Sequence, residues 1–211
     1  EPEELQPGQV HILPPELFEE LFPNVRSRDF YHSLNNQIYV CRGTQTNLLE
    51  YFKQLLHETI HAVSFSKFLI DKKGGRAGTY RTGYTNTDPR RQNDTFRGLN
   101  EAVVDRMAME ITFKNSKEII SELGADGDKQ TVTTWYAKPL EVLDVLIKKI
   151  AITSGKEPVM VWNKFKSGEF TGNMMYLRNI ERVFGKGALR VIARLPPARL
   201  PGKPNLIEDI L

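Results

Sequence analysis

The sequence predicts an α+β fold: a small antiparallel or mixed sheet beside a helix that carries two histidines, followed by a mostly helical C-terminal lobe. Three observations predict it. Between about Asn47 and Leu69, apolar residues recur at the helical period. Short runs rich in β-branched and aromatic residues flank that stretch, from Asp29 to Arg42 and from Thr79 to Thr85. From Pro139 onward, helical patterns follow one another with no further strand signal. A chain of 211 residues, 40% apolar and 26% charged, suits one globular domain, read here as two lobes of about residues 1–97 and 98–211.

Residues 1–13 hold Pro2, Pro7 and Gly8, and an irregular entering arm is expected there. Pro14-Pro15-Glu16 puts proline in the first turn of a short helix that should reach Leu21 or Phe22 and stop at Pro23. From Asp29 to Arg42, Phe30, Tyr31, Leu34, Ile38, Tyr39 and Val40 flank Asn35-Asn36, a dipeptide that tolerates the positive φ of a tight turn, so the stretch reads as a β-hairpin. The long helix starts near Asn47, which with Glu50 three residues on has the form of a capping box. Leu48, Phe52, Leu55, Leu56 and Val63 fall on one stripe and form its expected core face. At about 100° per residue, His57 and His61 point nearly opposite, which leaves them solvated or lining a cleft.

Lys72-Lys73-Gly74-Gly75 closes the helical pattern with basic residues and glycine, as helix C-termini prefer. Thr79 to Thr85 and a turn-like Asn86 to Asn93 around Pro89 read as a second hairpin, returning through Asp94 to Arg97. Gly98-Leu99-Asn100-Glu101 opens another amphipathic helix, with Val104, Met107, Ala108 and Ile111 on its apolar side. Lys114 to Thr134 is expected to form a short helix and an exposed loop. Its acidic Gly124-Ala125-Asp126-Gly127-Asp128 lacks the spacing and terminal glutamate of an EF-hand, so no calcium is assigned to it. Pro139 to Ile152 buries Leu140, Leu143, Leu146, Ile147 and Ile150. Pro158 to Phe165, Thr171 to Phe184 and Ala188 to Leu195 follow as helices punctuated by Gly168, Gly172, Gly185 and Gly187, with Trp162, Phe165, Met174, Met175, Leu177 and Phe184 as their core.

The chemistry concentrates in His57-Glu58-Thr59-Ile60-His61, an H-E-x-x-H pattern inside the long helix. Residues four apart lie one turn above each other, so both imidazoles reach one tetrahedral zinc ion. Glu58 follows the first ligand directly, is turned out of the pair, and is placed to take a proton from a water at the metal rather than to ligate it. Two histidines leave zinc in need of one more protein ligand and an open position. Glu101 and Asp105 share one face of the next helix: a carboxylate at Glu101 meets that need, and Asp105, one turn on, stands where it can accept the other ring N–H of His57 and fix its tautomer. Taken alone, these two acids read as a solvated helix surface.

H-E-x-x-H followed by N-E-x-x-x-D resembles the two active-site helices of the thermolysin-like gluzincin metallopeptidases, and the short chain is most similar to the compact minigluzincin group. The resemblance implies a zincin-like fold, zinc held by His57, His61 and Glu101, Glu58 as general base, Asp105 behind a ligand, and hydrolysis of peptide bonds, with an endopeptidase favoured. It implies that a sheet-edge strand beside the active-site helix pairs with extended substrate, and Ile38 to Cys41 is the expected edge. It also implies a tyrosine or histidine that stabilises the oxyanion. His11 and His32 lie in uninformative settings, so Tyr136 is the expected donor and Tyr84 the next choice. Latent minigluzincins carry a C-terminal segment in the cleft. That likeness permits, and the extended Ala193 to Pro201 doubling followed by the apolar Leu206, Ile207, Ile210 and Leu211 motivates, the expectation that the proline-rich tail from Arg194 to Leu211 packs back across the body and limits access to the cleft.

A reading of a different class is a catalytically silent or latent module that holds the same zinc and binds peptide without cutting it. Glu58 counts against it, because a structural zinc site closes its fourth position and has no use for a base there. A peptide or protein is the expected partner in either case. A net charge of +3 is too small to argue for nucleic acid, and Lys186, Arg190, Arg194, Arg199 and Lys203 read as a solvated face. No stretch approaches transmembrane length, so no membrane is expected. Cys41 is the only cysteine, which excludes an intrachain disulfide and favours the cytoplasm; a targeting segment would lie outside a chain that opens at Glu1.

Overall fold

The computed structural model describes residues 6–25, 27–42, 47–71, 76–88, 93–123 and 131–197. They form an α+β chain with two small sheets and several helices, as the sequence predicts. The described residues divide into two compact units, one of residues up to Val63 with 108–133, the other of residues 64–107 with 134–197.

The first unit holds β1 (Val10–Leu13), α1 (Pro15–Leu21), β2 (Asp29–His32), β3 (Gln37–Cys41), α2 (Leu48–Val63), the end of α3 (Arg97–Lys114) and α4 (Ser116–Leu123). The β2–β3 hairpin is the expected one: Asp29 lies opposite Val40 and His32 opposite Gln37, and Asn36 takes φ 53° in the turn. Two expectations are corrected. Residues 10–13 are not an irregular arm; they pair in parallel with β3, Val10 opposite Ile38 through Leu13 opposite Cys41. Consequently β3 is not an edge but the middle strand of the order β1-β3-β2, with its backbone groups taken on both sides. Ile38 and Val40 are fully buried. On the alternate face, Tyr39 joins the rings of Phe22 and Phe30, centroids 4.8 and 5.2 Å away, and stacks on His11 at 4.9 Å.

Helix α2 starts where the capping signal places it, with the Glu50 amide donating to Asn47 Oδ1 at 3.2 Å. The reciprocal half of a capping box is replaced by a tertiary bond, since Glu50 Oε2 accepts from the Thr133 amide at 2.6 Å. The helix packs on β2, β3 and α4. It ends at Val63, short of the expected Leu69, because the run that follows is a strand.

That strand, β4 (Ser66–Asp71), opens the second unit and pairs antiparallel with β5 (Arg76–Thr82); β6 (Thr85–Asp88) and β7 (Asn93–Thr95) complete a sheet of order β4-β5-β6-β7. Phe68 and Ile70 suit a strand as well as a helix, and pairing with β5 decides between them. Gly83, at φ 52°, makes the tight β5–β6 turn, with Thr82 opposite Thr85. The helices α5 (Ala137–Ser154), α6 (Pro158–Thr171), α7 (Arg178–Phe184) and α8 (Ala188–Ala193) follow. Leu143, Leu146, Ile147 and Ile150 of α5 pack in a core that includes Trp162, Phe165, Leu177 and Ile180, whereas Met175 and Phe184, expected inside, are exposed. Gly168 does not break a helix but lies within α6, where a Cβ would strike the Tyr84 ring. The acidic run 124–128, Lys72–Gly75, Pro89 and the tail beyond Pro197 lie outside the described residues.

Candidate metal centre

The histidine face of α2 is largely covered, with His61 half-buried. His57 and Glu58 are each 4% exposed, and Glu50 and Lys53 on the same side are buried too. The stripe expected to be the core face is less covered, with Leu48, Phe52, Leu55 and Leu56 half-buried and Val63 exposed. A helix that buries its polar side more deeply than its apolar side must have partners for those groups, which is the usual circumstance of a functional site. The i, i+4 spacing does what helix geometry requires: the rings of His57 and His61 lie edge to face with centroids 4.8 Å apart, and their Nε2 atoms approach to 3.1 Å.

Glu101 and Asp105 lie on α3, a helix buried nearly all round over its first half, with Leu99, Ala102, Val103 and Val104 fully enclosed. The expected apolar member Ile111 is exposed instead. Asp105 is fully buried, so it is not a surface acid; its Oδ2 accepts a 2.6 Å hydrogen bond from Thr134 Oγ1. Glu101 is half-buried and lies 3.8 Å from Arg97 Nε, a loose and partly solvated ion pair that holds it weakly. Next to it, Asn100 is 2% exposed and its Oδ1 accepts from the amides of Tyr84 and Thr85 at 2.6 and 3.3 Å, fixing the start of α3 to the β5–β6 turn.

One ligand atom from each of His57, His61 and Glu101 lies within 4.8 Å of the others, and among the described residues no second such group of His, Cys, Asp or Glu was found. Two imidazoles and one carboxylate are a donor set that zinc accepts. Zinc bonds of 2.0–2.1 Å at tetrahedral angles set ligand atoms about 3.3–3.4 Å apart. The 3.1 Å between the two Nε2 atoms of α2 is already close to that edge. The donor chemistry of the three residues is therefore of a kind that could hold the ion.

The two tyrosines fare differently. The Tyr84 hydroxyl is committed: the residue is fully buried and donates to the Phe165 carbonyl of α6 at 2.9 Å. Burial above all, and then the Glu169 carboxylate, push its pKa well above the ordinary tyrosine value. It sits as a core tyrosine whose hydroxyl is used by α6. Tyr136 is buried at the N-cap of α5, where its amide donates to Thr134 Oγ1 at 3.0 Å and its carbonyl accepts from Leu140 at 2.9 Å.

Sequence reasoning missed a second polar centre. Glu169 of α6 is fully buried, its Oε1 accepts from Ser64 Oγ at 2.7 Å, and its carbonyl accepts from the Phe65 amide at 3.1 Å. Gly83 is wedged against it, with its amide donating to Phe65 O at 2.7 Å and its carbonyl accepting from Arg81 Nε at 2.8 Å. Burial lowers the pKa of Arg81 while the Glu169 carboxylate acts to raise it, so the two charges are coupled. The available signal was Gly83 between two β-forming runs, but nothing local pointed to a glutamate so far along the chain. No helix of the described residues is long and apolar enough to cross a membrane. Against this geometry, comparison with protein-family models, with curated proteins and with solved structures finds nothing that matches the chain.

Proposed function

We propose that the protein is a zinc-dependent peptidase of the gluzincin type, with His57, His61 and Glu101 as the metal ligands and Glu58 as the general base. The observation that carries this is the convergence of two imidazoles and a carboxylate within 4.8 Å, with Glu58 buried beside the first histidine. When bound, zinc supplies Lewis acidity toward a carbonyl and lowers the pKa of a water to about 7. Glu58 removes a proton from the attacking water and returns it to the leaving amine, so one carboxylate serves both steps. Asp105, buried one turn beyond Glu101, is the carboxylate we assign to the outer ring N–H of His57 when the ion is bound, where it would hold the imidazole in the tautomer that presents a lone pair. Tyr136 supplies the hydroxyl that meets the developing oxyanion.

The test is Glu58→Gln, which preserves shape and removes the base. It should keep zinc and lose peptide cleavage by about 10²- to 10⁴-fold, the usual contribution of a general base. Turnover equal to that of the native chain would remove Glu58 from the mechanism. A native chain that holds zinc and cleaves no member of a peptide library would instead support a silent peptide-binding module.

A further inference from the structure

Asp105 lies on α3 and Tyr136 caps α5, and one hydroxyl joins them. Thr134 Oγ1 donates to Asp105 Oδ2 at 2.6 Å and accepts from the Tyr136 amide at 3.0 Å, with Thr134, Asp105 and Tyr136 at 3%, 0% and 5% exposure. The direction of both bonds is forced. A backbone amide only donates, so a lone pair of the hydroxyl faces Tyr136 and its single proton is left for Asp105. Because a carboxylate is planar, tethering Oδ2 also fixes where Oδ1 points. The same hydroxyl anchors the residue that begins α5, whose carbonyl is taken by Leu140 on the other side.

We propose that Thr134 is a positioning residue of the metal centre: it orients the carboxylate of Asp105 toward its ligand and sets the backbone from which Tyr136 projects. The inference rests on the peptidase reading and adds to it a residue that carries no chemistry of its own. Thr134→Val is isosteric and removes both bonds; Thr134→Ser keeps them. Zinc affinity is measured by competition with a chromophoric chelator, the visible spectrum of the cobalt-substituted protein reports ligand geometry, and steady-state cleavage gives kcat and KM. Thr134→Val should bind zinc about 10-fold more weakly, as when a group behind a metal ligand is removed. It should also show an altered cobalt spectrum, and kcat should fall more than KM changes, since an oxyanion contact is made in the transition state. Thr134→Ser should restore all three.

Native affinity, spectrum and kcat in a folded Thr134→Val protein would overturn the proposal while leaving the peptidase reading intact. A native chain that binds no zinc would overturn both, so the two failures are told apart by the control. Should Thr134→Val fail to melt cooperatively, Thr134→Cys keeps most of the volume and donates only weakly. The same loss of zinc affinity is expected there, and native affinity would equally overturn the assignment.

Discussion

Replacing Gly83 with alanine tests the packing that holds the β5–β6 turn against α3 and α6. At φ 52° an added Cβ sits in the left-handed region, which disfavours a non-glycine residue by about 1–2 kcal/mol. That Cβ would also overlap Glu169 Oε1 and come within 2.5 Å of Asn100 Oδ1. Both atoms are acceptors in use, from Ser64 Oγ and from the Tyr84 amide. Displacing Glu169 gives up a hydrogen bond to a charged group, about 1.5–3 kcal/mol. The sum is about 2.5–5 kcal/mol, or roughly 5–20 °C in melting temperature for a chain of this size. Gly155 supplies the control: its φ is 62° and no atom lies within 4 Å of an added Cβ, so Gly155→Ala carries the backbone term alone. The reduction in unfolded-state entropy that alanine brings is common to both variants and cancels. Thermal melts of the pair followed by circular dichroism should place Gly83→Ala clearly below Gly155→Ala. Equal melting temperatures would refute the wedge and the network built on it.

Asp105→Ala should weaken zinc about 10- to 100-fold if the carboxylate orients a ligand, measured by chelator competition; unchanged affinity would reduce Asp105 to a partner of Thr134 alone. Tyr84 bears on alkaline stability. Burial raises its pKa in the folded protein, so its contribution is complete below the ordinary tyrosine value of about 10 and is lost as pH rises past it, where the unfolded chain ionises first. Tyr84→Phe should lose about 0.5–1.5 kcal/mol near neutral pH, the net worth of the bond to Phe165 O, and then decline less steeply than the native chain above pH 10. An equally steep alkaline decline in denaturant titrations would mean that Tyr84 is not among the groups responsible.

Much of the candidate site was legible because its signals are local. His57, Glu58 and His61 sit within five residues of helix, and helical spacing alone brings the two imidazoles together. Glu101 and Asp105 were readable as one helix face for the same reason. The errors arise where partners are remote. The stretch from Ser64 to Leu69 continues an apolar pattern that either a helix or a strand can use, and pairing with β5 settles it. Val10–Leu13 looked irregular beside Pro7 and Gly8, and its parallel partner β3 lies far along the chain, so neither strand β1 nor the central place of β3 could be read locally. On α2, periodicity finds the apolar stripe but cannot tell how deeply the opposite polar side will be covered. Glu169 was hidden twice over, since its acceptor bond from Ser64 spans 105 positions and its neighbour Gly168 resembled a helix break.

The central claim is that one zinc ion is held by side chains from α2 and α3, and metal content tests it most directly. Purified native protein, His61→Ala and Glu101→Ala are each equilibrated with zinc, freed of excess, and assayed for metal per chain, with circular dichroism confirming that each variant is folded. The account predicts one zinc in the native chain and a sharp loss in both variants, because each removes one of the three ligand atoms gathered within 4.8 Å. Full zinc retention in folded His61→Ala, or a native chain that retains none, would contradict it.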